Sequence, residues 1–245
     1  MQRLFLVYVS LIAFGCSSLD DLVREKSLNR ARDSFVKVFI ENSYDAYSCY
    51  EGEFTLDNCD FYGSVYSEKM TGSGFGIKST SIGSIIMTAG HLCSESNNSK
   101  IIEFPMVVSV KSAVYVKDKN GNNIDGIILK SDAESDLCTI LLPKSNIPPV
   151  RIAKKDPKIG EKVYNLSAPR GVFSPNNIML FEGFYTGEFP SGWSGYTIPA
   201  APGSSGSIVI NKRGEVVGMI DAVIVGFNQI SLGPNRKSII SFLEE

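Results

Sequence analysis

The chain contains one histidine, His91, and its neighbours decide what that residue can do. It lies in Met87-Thr88-Ala89-Gly90-His91, directly after an apolar run and at a turn of small residues. Imidazole is the side chain whose unperturbed pKa suits proton transfer near neutral pH. A serine hydroxyl is a poor nucleophile until such a base takes its proton. Ser205 stands in Pro202-Gly203-Ser204-Ser205-Gly206-Ser207. Glycines there allow a tight turn in which the amides of Gly203 and Ser205 converge on one point, as an oxyanion hole requires. Asp136 opens Asp136-Leu137-Cys138-Thr139-Ile140-Leu141-Leu142, where a carboxylate can hold a histidine tautomer and stabilise the imidazolium. Asp132 and Glu134 compete for that role, but only Asp136 directly abuts the apolar run. Each feature also has a plain structural counterpart: a surface histidine, a Gly-Ser turn, a solvated carboxylate at a strand end. Taken together they predict acyl transfer by Ser205, with His91 as base and Asp136 as its orienter. That chemistry needs no metal or other cofactor, and the available Cys and His show no metal-ligand spacing.

The elements that must position these residues are short apolar runs between turn signals. Ser34 to Ile40, Ser84 to Thr88, Met106 to Val110, Ala113 to Lys117 and Ile127 to Lys130 come first. Leu137 to Leu142, Lys162 to Leu166, Met179 to Phe184, Ser207 to Ile210 and Glu215 to Ile220 follow. Asn120-Gly121 and Asp125-Gly126 read as hairpin turns. Many short strands at regular spacing predict a sandwich or barrel. Residues 41–71 are polar and read as a long loop or a hairpin insertion. Helical spacing returns only at Arg236 to Glu245, after Gly233-Pro234-Asn235.

Four motifs occur in order: Gly72-Ser73-Gly74-Phe75-Gly76-Ile77, Thr88-Ala89-Gly90-His91, Asp136 to Leu141, and Ala201-Pro202-Gly203-Ser204-Ser205-Gly206-Ser207. In that order they resemble the signatures of trypsin-like serine proteases, closest to the HtrA/Deg branch without a PDZ domain. Gly160-Glu161-Lys162-Val163, Pro169-Arg170-Gly171 and Gly214 to Gly218 extend the resemblance over residues 34–245. The resemblance implies an all-β fold of two six-stranded antiparallel β-barrels, a short C-terminal helix, and the triad in the cleft between barrels. It implies a serine endopeptidase acting on protein or peptide substrates, and permits an oligomer. Ser207 departs from the Gly or Pro frequent in the family. Ile220 or Asp221 stands where Ser or Asn is usual at the base of the cleft. With Ile198, Pro199 and Ala200 before the nucleophile, and Ala222 and Val223 opposite, a small or medium apolar side chain is expected before the scissile bond. The rival reading is a catalytically idle trypsin-like fold serving as a surface binding lipoprotein.

The N-terminus differs in kind. Arg3, the apolar stretch Leu4 to Phe14 and small residues after it read as a signal peptide over residues 1–15, too short to span a bilayer. Leu11-Ile12-Ala13-Phe14-Gly15-Cys16 resembles a bacterial lipoprotein box, which would lipidate Cys16 and tether the chain to a membrane. Residues 16–33 read as a tether or an N-terminal helix, ahead of a protease domain at 34–245. The chain is expected in the periplasm, outer membrane or cell surface. Cys49, Cys59, Cys93 and Cys138 then remain; their even number permits two disulfides, with three pairings open. The net charge of -2, with no basic run, gives nucleic acid nothing to bind.

Overall fold

Strands turn successive side chains to opposite faces, so one strand can feed two cores. The computed structural model describes residue 22 and residues 24–49, 59–94, 106–224 and 226–244. Six strands close the first barrel in the order β1, β2, β3, β6, β5, β4. They are β1 (Phe35–Cys49), β2 (Cys59–Thr80), β3 (Gly83–Ala89), β4 (Met106–Asp118), β5 (Asn123–Asp132) and β6 (Leu137–Pro143). Antiparallel pairing of β1 with β4, Val36 opposite Asp118, closes the ring. Val36, Val38 and Ile40 of β1 fill the barrel with Ile86, Val116, Ile140 and Leu142. Phe35 faces away from that cluster into another.

The second sheet holds seven strands in the order β11, β10, β7, β8, β9, β13, β12. They are β7 (Lys162–Ser167), β8 (Met179–Glu188), β9 (Trp193–Tyr196), β10 (Ser207–Ile210), β11 (Val216–Ile220), β12 (Ala222–Ile224) and β13 (Phe227–Pro234). It is nearly closed: Gly218 of β11 bridges Asn235, just past β13. The extra strand over the expected six comes from a break at Asp221, which splits one strand into β11 and β12.

A third cluster lies between the barrels. It takes Phe35, Phe75, Met87 and Leu137 from the first barrel, and Leu166, Ile208, Ile210, Val216 and Met219 from the second. This explains why β6, β10 and β11 are buried almost end to end, with no polar face. Leu137 points to the middle layer and Cys138 to the first barrel; Met219 points to the middle layer and Ile220 to the second barrel. Each such side chain, fully buried, is worth about 1.5–3 kcal/mol. Two helices seal the layer: α1 (residues 24–34) adds Ala31, and α3 (Arg236–Glu244) adds Ile239 and Phe242.

Three local expectations are resolved. Residues 41–49 and 59–71 lie on the arms of the β1–β2 hairpin, the second of the two readings given to that stretch, with Cys49 opposite Cys59 in the backbone ladder. Met106 to Lys117 is one strand, not two. Asn120-Gly121 does turn the chain between β4 and β5, but Asp125-Gly126 lies inside β5. There a Cβ on Gly126 would crowd Ile140 at 2.7 Å, so close packing explains that glycine. The leader at 1–15 and Cys16 lie outside the described residues.

Candidate active site

His91 enters on α2 (Gly90–Cys93), one turn of helix directly after β3. Asp136 sits in the turn before β6, the strand paired with β3, where Ala89 stands opposite Leu137. Neighbouring strand ends therefore bring the two residues together. Asp136 has φ 53°, the left-handed region that aspartate tolerates better than most side chains. From it the carboxylate receives two donors from one residue. The His91 amide donates to Oδ1 at 2.7 Å, and His91 Nδ1 lies 2.9 Å from Oδ2 and 3.1 Å from Oδ1. Nδ1 facing a carboxylate carries the proton, which leaves Nε2 free to accept one. The Gly90 amide donates to the Asp136 carbonyl at 2.9 Å. A Cβ on Gly90 would lie 2.7–2.8 Å from backbone atoms of Asp132, Asp136 and Leu137, so only glycine allows this approach. The Asp136 side chain is 16% exposed and that of His91 46%, so the carboxylate is sheltered while the ring meets solvent.

A disulfide brackets the pair. Cys93 and Cys138, each two residues beyond His91 and Asp136, are bonded to each other. It is one of the pairings the cysteine count left open.

Ser205 comes from the other barrel, in the turn that enters β10. That turn is fastened to β2 of the first barrel. The Ser73 amide donates to the Ser205 carbonyl at 2.8 Å, and Ser73 Oγ donates to the Gly203 carbonyl at 2.8 Å. The same Oγ accepts from the Ala168 amide at 3.0 Å, and Ser73 is wholly buried. On the other flank, the Arg170 amide donates to the Pro202 carbonyl at 2.6 Å. Gly203 has φ +97°, and a Cβ there would lie 2.5 Å from the Ala168 carbonyl oxygen. Glycine is obligatory on both counts. Among the described residues, neither the Gly203 nor the Ser205 amide donates to a protein acceptor. The Ser205 hydroxyl donates to the Asp221 carbonyl at 3.3 Å. Ser207, the departure from the family pattern, is buried and accepts from Asn165 Nδ2 at 2.8 Å.

The other predicted residues fall around β12. Ala200 is buried in the second-barrel core with Val223 packed on that core, Ala222 is half-buried and Pro199 is exposed. The Ala200 amide donates to the Asn228 carbonyl at 3.1 Å. Two residues of the site escaped functional reading in the sequence. Ser73 sat unremarked inside a glycine-rich motif, whose glycines let β2 approach the Ser205 turn. Asp221 was visible only as an unusual residue at the base of the cleft.

Two antiparallel barrels, with a His–Asp pair on one and a glycine-flanked serine on the other, define a class of hydrolase. The family model for the trypsin-like peptidase domain matches residues 72–219. The chain belongs to that family of trypsin-like peptidases. Among solved structures it is similar to the serine endoprotease from Yersinia pestis, with TM-score 0.62 and 17% identity, over 90% of this chain and 65% of that one. It thus spans about two thirds of that protein's length. It is also similar to the active form of the Rv3671c protease from M. tuberculosis, with TM-score 0.62 and 18% identity over 91% and 85% of the two chains. The inactive form of that protease gives TM-score 0.60 and 17% identity over 91% and 93%. The search of curated proteins returned no match.

Proposed function

We propose that His91, Asp136 and Ser205 are the catalytic triad of this endopeptidase, and that Gly203 and Ser205 supply its oxyanion hole. The observation that carries this reading is the doubly bonded His91–Asp136 pair, which leaves Nε2 as the free base. The Ser205 hydroxyl turns from the Asp221 carbonyl to His91 Nε2 and attacks the peptide carbonyl as its proton passes to the ring. Asp136 steadies the imidazolium. The uncommitted amides of Gly203 and Ser205 take the oxyanion, each worth about 3–4 kcal/mol in comparable enzymes. His91 then protonates the leaving amine, and water repeats the cycle on the acyl-enzyme. At the end of its sheet, β12 offers an unpaired edge on which an extended substrate can lie as an added strand.

The Cys93–Cys138 disulfide supports an oxidising compartment, consistent with export and processing or quality control of proteins outside the cytoplasm. Ala200, Ala222 and Val223 support a small or medium apolar residue before the scissile bond. A peptide-library profile dominated by Lys or Arg would refute that preference. The triad is tested by fluorophosphonate labelling of the mature chain, Cys16 replaced by Ser, beside Ser205→Ala. Labelling confined to the serine-bearing protein is expected. A folded protein that takes no label would instead favour a binding protein built on a protease fold.

A further inference from the structure

Asp221 separates β11 from β12 beside the Ser205 turn, and two of its oxygens hold that turn. Its carbonyl accepts the Ser205 hydroxyl at 3.3 Å, and its Oδ1 accepts the Gly206 amide at 2.9 Å. Its own amide donates to the Leu232 carbonyl at 3.0 Å, which anchors it to β13. Oδ2 is buried with no hydrogen-bond partner among the described residues. The charged group facing it is Asp136, from the turn before β6, which in turn holds His91 of α2. The Ser205–Gly206 turn and Leu232–Gly233 of β13 bring no charge to it. Burial first, and then the Asp136 charge, hold the Asp221 carboxyl well above the ordinary aspartate range.

We propose that Asp221 is a positioning residue that works as a neutral carboxylic acid: protonated it holds the Ser205–Gly206 turn in place, and ionised it lets that turn go and silences the site. The proposal rests on Ser205 being the nucleophile. An ionised Asp221 has one amide donor for two buried oxygens, and its second oxygen would carry charge towards Asp136. Relief requires Asp221 to move or water to enter. Either change loosens the Gly206 amide held on Oδ1, and with it the turn that presents Ser205.

The test is the fluorophosphonate labelling rate against pH for wild type and Asp221→Asn. Asparagine keeps an oxygen for the Gly206 amide and offers N–H where the acid offers O–H, but it cannot ionise. The wild-type rate is expected to fall about tenfold per pH unit beyond the Asp221 ionisation. Asp221→Asn is expected to lose that falling limb. A falling limb retained in Asp221→Asn, or absent from wild type over the whole pH range in which it stays folded, overturns the proposal. Absence of labelling at every pH in both proteins overturns the nucleophile assignment itself, and this proposal with it. Should Asp221→Asn fail to fold, hydrogen exchange of the Gly206 amide in wild type decides the matter. Protection lost along the same falling limb supports the proposal, and protection constant through it refutes it.

Discussion

Replacing Ser73 by alanine removes one oxygen that bridges both barrels. In the native chain that hydroxyl donates to the Gly203 carbonyl at 2.8 Å and accepts from the Ala168 amide at 3.0 Å. Ser73 is 0% exposed, so water does not replace the lost partners without opening the interface. A buried group left unsatisfied costs about 1–3 kcal/mol, so two put the loss at about 2–6 kcal/mol. The small volume change adds little, because alanine differs from serine by one atom. The functional effect follows from position: the Gly203 carbonyl that Ser73 grips lies next to the Gly203 amide proposed for the oxyanion. Loosened rather than lost, that donor should cost about 10–100-fold in labelling rate, short of the 10²–10³ for outright removal. Equilibrium denaturation in urea gives the first quantity and fluorophosphonate kinetics the second. A stability loss below about 0.5 kcal/mol, the range of an indifferent surface change, would show that Ser73 does not bridge the barrels.

Three further outcomes are expected. Asp136→Asn should keep the fold but cut labelling at neutral pH by about 10⁴-fold, because a neutral amide no longer dictates which ring nitrogen bears the proton; a drop under about tenfold would contradict that role. Replacing Cys93 and Cys138 by serine opens a loop with sequence separation 45, which the chain-entropy relation puts at about 4 kcal/mol of lost stability, measurable by denaturation. Asp221 makes stability depend on pH in a defined sense. Its folded carboxyl keeps a proton that the unfolded chain gives up, so stability falls as pH rises from the ordinary aspartate range to the raised folded value, by up to about 1.4 kcal/mol per pH unit. Asp221→Asn lacks this slope, so its stability relative to wild type should rise from acid to neutral pH in thermal melts, and a constant difference would contradict a buried neutral acid.

How much of this was legible in the sequence follows from how local each cause is. The strand runs ending in His91 and beginning at Asp136 were readable because apolar side chains and a turn residue are properties of adjacent positions. β9, β12 and β13 were not, because Trp193–Tyr196 and Phe227–Pro234 carry Gly, Ser, Asn and Pro, and their strand character comes from partners far along the chain. The same distinction divides the site. Gly203 and Ser205 announce themselves by local turn chemistry, whereas the Ser73 hydroxyl has meaning only through Gly203 and Ala168, more than ninety positions away. Asp221 is the sharpest instance. In sequence it is a charged residue interrupting Val216 to Ile224, a local conflict with a buried strand. In the fold that conflict becomes the strand break, the seat of the Gly206 amide and the acceptor of the Ser205 hydroxyl. Where a sequence breaks a local rule inside an otherwise consistent core, function is the first place to look for the compensation.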